Sequence, residues 1–546
     1  MKKYILTILP LVAFFLHVRG QDVYSVQQYP NASFNSLPGK IVFMSDSTAL
    51  GDLNPDKVIN NYQFNLSRNL YLKIVLANSL TNILHKANPA LSNEQLHQGT
   101  LAFEFDIDGK KSYIEEIKAS ALGDSIKDTR KVIMLPFYSD KEYRTWGQGL
   151  WYRFLMKAGN DALTTGDHLL TVKVMPDIAT PKFQGPVMAE GSFHILVKPA
   201  SVAQTEIQPI TGESGWPISE DSYDKDKIRE LNSLIAQNKF RHISGVVVIK
   251  GGKLLIEEYF NGQGRDSLIN PRSVSKSVTS SMMGIALKEG YINSVNETLD
   301  KYYAINNYKN YSSYKKDITI KSLLTMSSLF NADDGDSASP GNEDNMYPTA
   351  NWVSFALGLP IDTGKLQEKK WHYFTAGIVL LGDILNKSVP GGLEKYADEK
   401  LFKPLGITHY VWAFTPQHVP NTAGGLEMTP LDYAKYGQLY ANNGEWHGTQ
   451  IIPKGWIGQT FHHYMTLPAQ NGGGFYGYLF WNKTFIVNGR SLETYFCTGN
   501  GGNKVYIFPE QNIVVVIAAT AYNTPYAHPQ ADKMMQQYIL PAIQQR

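Results

Sequence analysis

The stretch PRSVSKSVTS, Pro271 to Ser280, sets Ser273 three residues ahead of Lys276. A serine hydroxyl is a weak nucleophile until a neighbouring base takes its proton. A lysine can be that base when burial lowers its pKa. Residues three apart on a helix are neighbours, so the two side chains can touch. The spacing alone is weak evidence, because Ser-x-x-Lys also occurs at Ser222/Lys225, Ser312/Lys315 and Ser313/Lys316.

Context separates these pairs. Ser312 and Ser313 lie in NYKNYSSYKKD, a polar, tyrosine-rich segment with no apolar face, and Lys225 opens a helix of surface type. Around Lys276, by contrast, Val274, Val278, Met282, Ile285 and Ala286 recur at helical spacing. Ser273, Lys276, Ser277, Ser280 and Gly284 form a second face that is small apart from the lysine. Pro271 stands where a helix starts, and Gly290 is a helix stop. A serine in the first turn lies near unpaired N–H groups and the positive dipole end, which favour developing negative charge. The alternative at this point is that Ser273 caps the helix and Lys276 reaches solvent.

Two compositional regimes must position this helix. From residue 22 to about 203, apolar and polar residues alternate in LAFEFDID (101–108), KVIMLPF (131–137), HLLTVKVMP (168–176) and GSFHILVKP (191–199). Such alternation predicts strands with one buried face. Asp108-Gly109 and Thr165-Gly166-Asp167 suit tight turns. The expectation for 22–203 is a mainly β, sandwich-like domain with a helix near 66–85 and no chemistry-bearing motif. Residues 204–222 carry Pro, Gly, Ser and acids and read as a linker or irregular lead-in.

The second domain, 223–546, opens with a helix over 224–240. A hairpin, GVVVIKGGKLLIEEYF (245–260), follows around Gly251-Gly252. Helical stretches are expected near 350–358, 374–387 and 430–442, strands at 491–500 and 503–520, and a last helix at 528–545. Strands early and late with helices between predict one antiparallel sheet covered by helices.

The bulk properties exclude several functions. A chain of 546 residues with 43% hydrophobic and 18% charged residues is globular in composition. A net charge of +2 without a long basic run argues against a nucleic-acid partner. Lys2 and Lys3, the apolar run Tyr4 to Leu16, and Val18 and Gly20 ahead of Gln21 read as a signal peptide over 1–20. An exported, periplasmic or extracellular protein is therefore expected, with no stable membrane span. Cys497 is the only cysteine, so no intrachain disulfide forms. No His-Glu-x-x-His or Gly-x-Ser-x-Gly motif occurs, and neither a metal nor a cofactor is expected.

Five segments in order resemble the serine hydrolase superfamily of penicillin-binding proteins, class C β-lactamases and related esterases and amide hydrolases. They are SVSKS (273–277), ITIKSLLTMSS (318–328), WHYFTAGIVLLGDIL (371–385), GGLEMTPLDYAKYGQLYANNGEWHGTQIIP (424–453) and CTGNGGNKVYIFPEQNIVVVI (497–517). The resemblance covers about 215–546. It implies an α/β β-lactamase/transpeptidase-like domain with a helical subdomain.

It also implies roles. Ser273 would be the nucleophile and Lys276 its partner. Tyr373 would share the acid and base work, and the backbone N–H of Asn500 would join that of Ser273 in an oxyanion hole. Thr375 stands where the second motif has Asn, and a hydroxyl cannot copy a carboxamide's paired donor and acceptor. Cys497-Thr498-Gly499 stands where the third motif has Lys-Thr-Gly or His-Thr-Gly, so the cation expected for a substrate carboxylate is missing. Thr375, Cys497, Thr498, Gly499 and His372 are the expected substrate-binding residues. The acidic loop NADDGDSASPGNEDN (331–345) is either a solvated surface or a cleft rim that favours cationic substrates.

The expected function is hydrolysis of a carboxylic ester or amide through an acyl-enzyme, with esters ahead of β-lactams. The partner would be a small-molecule substrate, cationic or polymeric in some cases. A noncatalytic binding protein of the same fold and a D-amino-acid peptidase or amidase are the alternatives.

Overall fold

Turns written into the sequence set much of the strand register. Asp108 and Gly109 both take positive φ, 52° and 75°. That is the conformation a two-residue hairpin requires, and it joins strands Thr100–Ile107 and Lys110–Glu116. Gly251 and Gly252, with φ of 58° and 75°, do the same between Ile243–Lys250 and Lys253–Tyr259. The computed structural model describes residues 22–29, 36–63, 69–117, 119–138, 146–180, 182–199, 201–336 and 338–544. The expected signal peptide lies outside them.

The chain divides into two compact units after Lys198. In the first, the main sheet path runs Lys110–Glu116, Thr100–Ile107, Gly166–Ile178, Ala189–Val197, Lys40–Met44, Leu70–Val75 and Val132–Tyr138. Two short strands, Asn61–Gln63 and Phe183–Gln184, join it at the side. Most pairs are antiparallel, but Lys40–Met44 runs parallel to Ala189–Val197.

The sandwich expectation is corrected here, because the described strands form a single sheet. Aromatic residues fill the core beneath it, with Phe105 stacked on Phe154 at 4.3 Å and Phe137 on Trp151 at 5.2 Å. Phe154 and Trp151 come from a helix, Trp146–Phe154. Strand alternation reports that a face is buried, not whether a sheet or a helix covers it. The helix expected near 66–85 is also corrected. Leu70–Val75 is a strand buried at every position, and the helix is Leu80–Ala87, capped by the Ser79 side chain. Residues 64–68 lie outside the described set.

Residues 204–222 dock on the second unit. The Gln208 side chain donates to the Tyr259 carbonyl at 2.7 Å and accepts from the Tyr259 N–H at 3.1 Å. Trp216 is buried in the core of that unit.

The second unit is built on an eight-stranded antiparallel sheet. Its order is Lys253–Tyr259, Ile243–Lys250, Ile513–Ala519, Asn503–Phe508, Arg490–Gly499, Trp481–Val487, Phe475–Tyr476 and Met465–Thr466. Strand alternation divides the two cores. Val246 and Val248 pack with Ile228 and Leu231 of helix Lys225–Ala236 and with Met534 of the last helical segment. Val247 and Ile249 face the other way, toward Val278 and Met282 of helix Ser275–Lys288 and Tyr433 of helix Pro430–Ala441.

The helix Ser275–Lys288 is the central element. Every residue from Ser275 to Ala286 is buried, six polar side chains among them. Buried hydroxyls need partners. Ser277 donates to the Leu479 carbonyl at 2.8 Å, and Ser281 lies 2.8 Å from Tyr436 Oη and 2.7 Å from Tyr440 Oη. The helix ends where the Tyr291 N–H reaches the Ala286 carbonyl at 3.0 Å and Gly290 turns left-handed, a Schellman closure.

Candidate active site

Ser273 sits in a short 3-10 turn, Arg272–Val274, that leads directly into the central helix. Arg272 just before it holds a φ of 55°, unusual for a residue with a side chain. Its guanidinium lies over the Tyr522 ring at 4.6 Å, and its backbone N–H donates to the Asn270 side chain at 3.2 Å. The nucleophile candidate therefore projects from a bend that flanking contacts hold in place.

Lys276 lies one turn further on. Its Nζ donates to Ser273 Oγ at 2.7 Å and to the Ala423 carbonyl at 2.6 Å. Lys276 is 2% exposed. Burial lowers its pKa, opposed by the carboxylates of Glu343 and Asp334. Lys276 therefore does not reach solvent, and the capping alternative fails at the lysine.

Tyr373 completes the cluster. Its ring centroid is 5.1 Å from Lys276 Nζ. Burial raises its pKa, the Ser273 side chain opposes this, and Glu343 and Asp334 raise it further. The phenol is held protonated. Trp371 and Trp481 pack beside it, with centroids at 6.0 and 6.1 Å.

The end of strand Arg490–Gly499 crosses the nucleophile turn. A Cβ at Gly499 would stand 1.7 Å from the Pro271 carbonyl oxygen and 3.0 Å from the Ser273 nitrogen. Only glycine permits this approach. Beyond it, the Asn500 side chain is fixed by Asn523, donating at 2.6 Å and accepting that residue's N–H at 2.7 Å.

A cleft of about 670 Å³ opens beside Ser273, lined by Tyr373, Gly499, Asn500 and Thr498 among others. Three expected binding residues stand outside this lining. Cys497 alternates away from Thr498 and is fully buried in the core, where burial pushes its thiol up to about 12. Thr375 is buried at the start of helix Thr375–Ser388, and its N–H donates to Asp334 Oδ2 at 2.7 Å. His372 turns its Nδ1 to Asp333 Oδ2 at 3.1 Å.

The acidic loop is a wall of the cleft, through Asp334, Gly335 and Glu343. Burial, reinforced by Glu343, raises the Asp334 carboxyl to about 6. Among the described residues no cluster of His, Cys, Asp and Glu forms a metal site, and no helix is long and apolar enough to cross a membrane.

Sequence reasoning missed the far wall, which includes Lys483, Lys504, His528 and Asp532. One signal was available. Lys504 is the direct cross-strand partner of Thr498, so the face that carries Thr498 carries the lysine too. His528 and Asp532 come from the last helix and left no comparable mark.

The family model for beta-lactamase matches residues 231–538, more than half of the chain. The chain belongs to the beta-lactamase family. This is a family of serine hydrolases, and its fold accounts for the C-terminal sheet with helices on it. No curated protein matches the chain. Among solved structures, a Bacillus anthracis protein provisionally named a 6-aminohexanoate-dimer hydrolase is 18% identical over 62% of this chain and 89% of its own, with a TM-score of 0.48. A family VIII carboxylesterase is 15% identical over 60% of this chain and 99% of its own, with a TM-score of 0.45. A D-stereospecific amidohydrolase from Streptomyces sp. is 15% identical over 54% of this chain and 94% of its own, with a TM-score of 0.42.

Proposed function

We propose that this beta-lactamase family member hydrolyses carboxylic esters or amides through an acyl-enzyme on Ser273, with esters preferred over β-lactams. The observation that carries the reading is the 2.7 Å contact between Lys276 Nζ and Ser273 Oγ in a buried setting that lowers the lysine's pKa.

The neutral amine takes the Ser273 proton as Oγ attacks the carbonyl carbon. The N–H groups of Ser273 and Asn500 hold the oxyanion. When the intermediate collapses, Tyr373 protonates the leaving oxygen or nitrogen and recovers its proton from Lys276. Water then attacks the acyl carbon, its proton passes to Lys276, and Ser273 leaves reprotonated. The raised pKa of Tyr373 suits it to the acid step and not to service as a phenolate base.

The preference for esters rests on leaving-group ability and on the absence of a cation at Cys497. The acidic wall at Asp334 and Glu343 favours substrates that carry positive charge near it.

A fluorophosphonate probe should label the protein, and Ser273→Ala should abolish labelling and lower para-nitrophenyl ester turnover by at least about 10³-fold. Labelling that survives the substitution defeats the assignment. A fluorescent penicillin tested alongside separates the ester from the β-lactam preference.

A further inference from the structure

Tyr373 has to present its hydroxyl to a leaving group, and its ring contacts do not set that direction. Trp371 and Trp481 pack beside it at 6.0 and 6.1 Å. Apolar packing is non-directional, so these neighbours leave the aim of the phenol open.

The backbone around Tyr373 is fixed from the acidic loop instead. The Asp334 N–H donates to the Tyr373 carbonyl at 2.8 Å, and Asp334 Oδ2 accepts the Thr375 N–H at 2.7 Å. Just ahead, Asp333 Oδ2 meets His372 Nδ1 at 3.1 Å. The chain is therefore held on both sides of the tyrosine. Helix Thr375–Ser388 starts after Phe374, whose side chain has no acceptor for the first N–H groups. Such groups need an acceptor, and negative charge suits the positive end of a helix. Asp334 supplies both from 41 residues earlier in the chain. The loop is braced in turn, with Asp334 Oδ1 accepting the Glu343 N–H at 2.9 Å and the Asn342 side chain donating to the Asp334 carbonyl at 3.2 Å. Burial and Glu343 raise the Asp334 carboxyl only to about 6, so at neutral pH it is mainly ionised and both oxygens accept.

We propose that Asp334 is a positioning residue for Tyr373, its backbone N–H and its carboxylate holding the chain on the two sides of the tyrosine so that the phenol is aimed at the leaving group. This rests on the acid role of Tyr373 in the hydrolase reading. In that step the bond from the acyl carbon to the leaving oxygen breaks, and its electron pair stays on that oxygen. The phenol proton goes to the same oxygen, and Lys276 returns a proton to the phenolate. Substituting the Asp334 side chain leaves its N–H bond to Tyr373 in place and removes only the share of the carboxylate.

The test compares ethyl butanoate with para-nitrophenyl butanoate. Both give the same acyl-enzyme, and neither carries a net charge for the cleft wall to attract. Ethoxide leaves only with a proton, whereas para-nitrophenoxide leaves without one. The ratio of kcat/KM for the ethyl ester to that for the para-nitrophenyl ester should fall about 10-fold or more in Asp334→Ala, a part of the 10²–10⁴-fold a general acid supplies. Asp334→Asn offers one acceptor to two N–H groups and should give a smaller fall in the same direction. Tyr373→Phe should lower the ratio at least as far, and adding Asp334→Ala to it should lower the ratio no further. A ratio that keeps its wild-type value in both Asp334 variants, or effects that multiply in the double variant, overturn the positioning role and leave the hydrolase reading standing. If a fluorophosphonate does not label the unsubstituted protein and neither ester turns over, the hydrolase reading fails, and crystal structures of that protein and of Asp334→Asn decide the rest. A Tyr373 ring displaced on the order of 1 Å from its place 5.1 Å from Lys276 Nζ upholds the positioning role, and an unmoved ring overturns it.

Discussion

At the scale of single residues, the proposed mechanism depends on the protonation of one amine. Lys276 accepts the Ser273 proton only in its neutral form, and burial lowers its pKa from the ordinary lysine range near about 10.4. For a base, activity is present above its pKa and lost as pH falls through it. A profile of kcat/KM against pH from about 5 to about 10 should therefore show an acid limb whose midpoint lies below the ordinary lysine value. Lys276→Arg, which stays protonated throughout, should lose at least about 10³-fold and gain nothing at high pH. A limb centred at or above the ordinary value, or an Arg variant that recovers in alkali, contradicts the assignment. The pair of Ser273 and Lys276 was legible because helix spacing converts directly into contact. Thr375 and Cys497 were misread because a motif position names a place in the chain and not the direction in which a side chain points. Cys497 sits one residue from the cleft face, and in a strand one residue is enough to reverse the face.

At the scale of elements, the nucleophile turn and the strand end behind it must touch. The separation is set by Gly499, where any Cβ would meet the Pro271 carbonyl at 1.7 Å. Gly499→Ala should force the strand end away from the turn and separate the N–H groups of Ser273 and Asn500. A shift on the order of 1 Å should cost about 10²-fold in kcat/KM. Overpacking should cost about 1–3 kcal/mol in stability, measured by denaturant unfolding. A stable, fully active Gly499→Ala protein would remove the close approach from the mechanism. The first hairpin and the long helices of this unit were legible, because its turn carries Gly251-Gly252 and their apolar residues keep a clear period. The acidic loop was not. It has no period, and its placement rests on local bonds such as the Asp334 carboxylate accepting the N–H groups of Glu343 at 2.9 Å and Thr375 at 2.7 Å.

At the scale of the molecule, each unit carries its own core. Leu72, Phe103, Phe105, Trp151 and Phe193 gather within the first. The two cores of the second draw on residues from its own helices and its own sheet. The sequence marked this division through its change from alternating to helical periodicity. It left the fold of the first unit underdetermined, since alternation does not name the covering layer. Units with separate cores unfold separately when little couples them. The full chain should then melt in two calorimetric transitions. A chain of residues 199–546 alone should reproduce one of them within about 2–4 °C, the shift that about 1 kcal/mol produces in a domain of this size range. It should also keep small-ester turnover within a few-fold, because every group assigned to the chemistry lies in that unit. A fragment that melts far lower, or that folds but no longer turns over a small ester, would mean that the first unit completes the hydrolase.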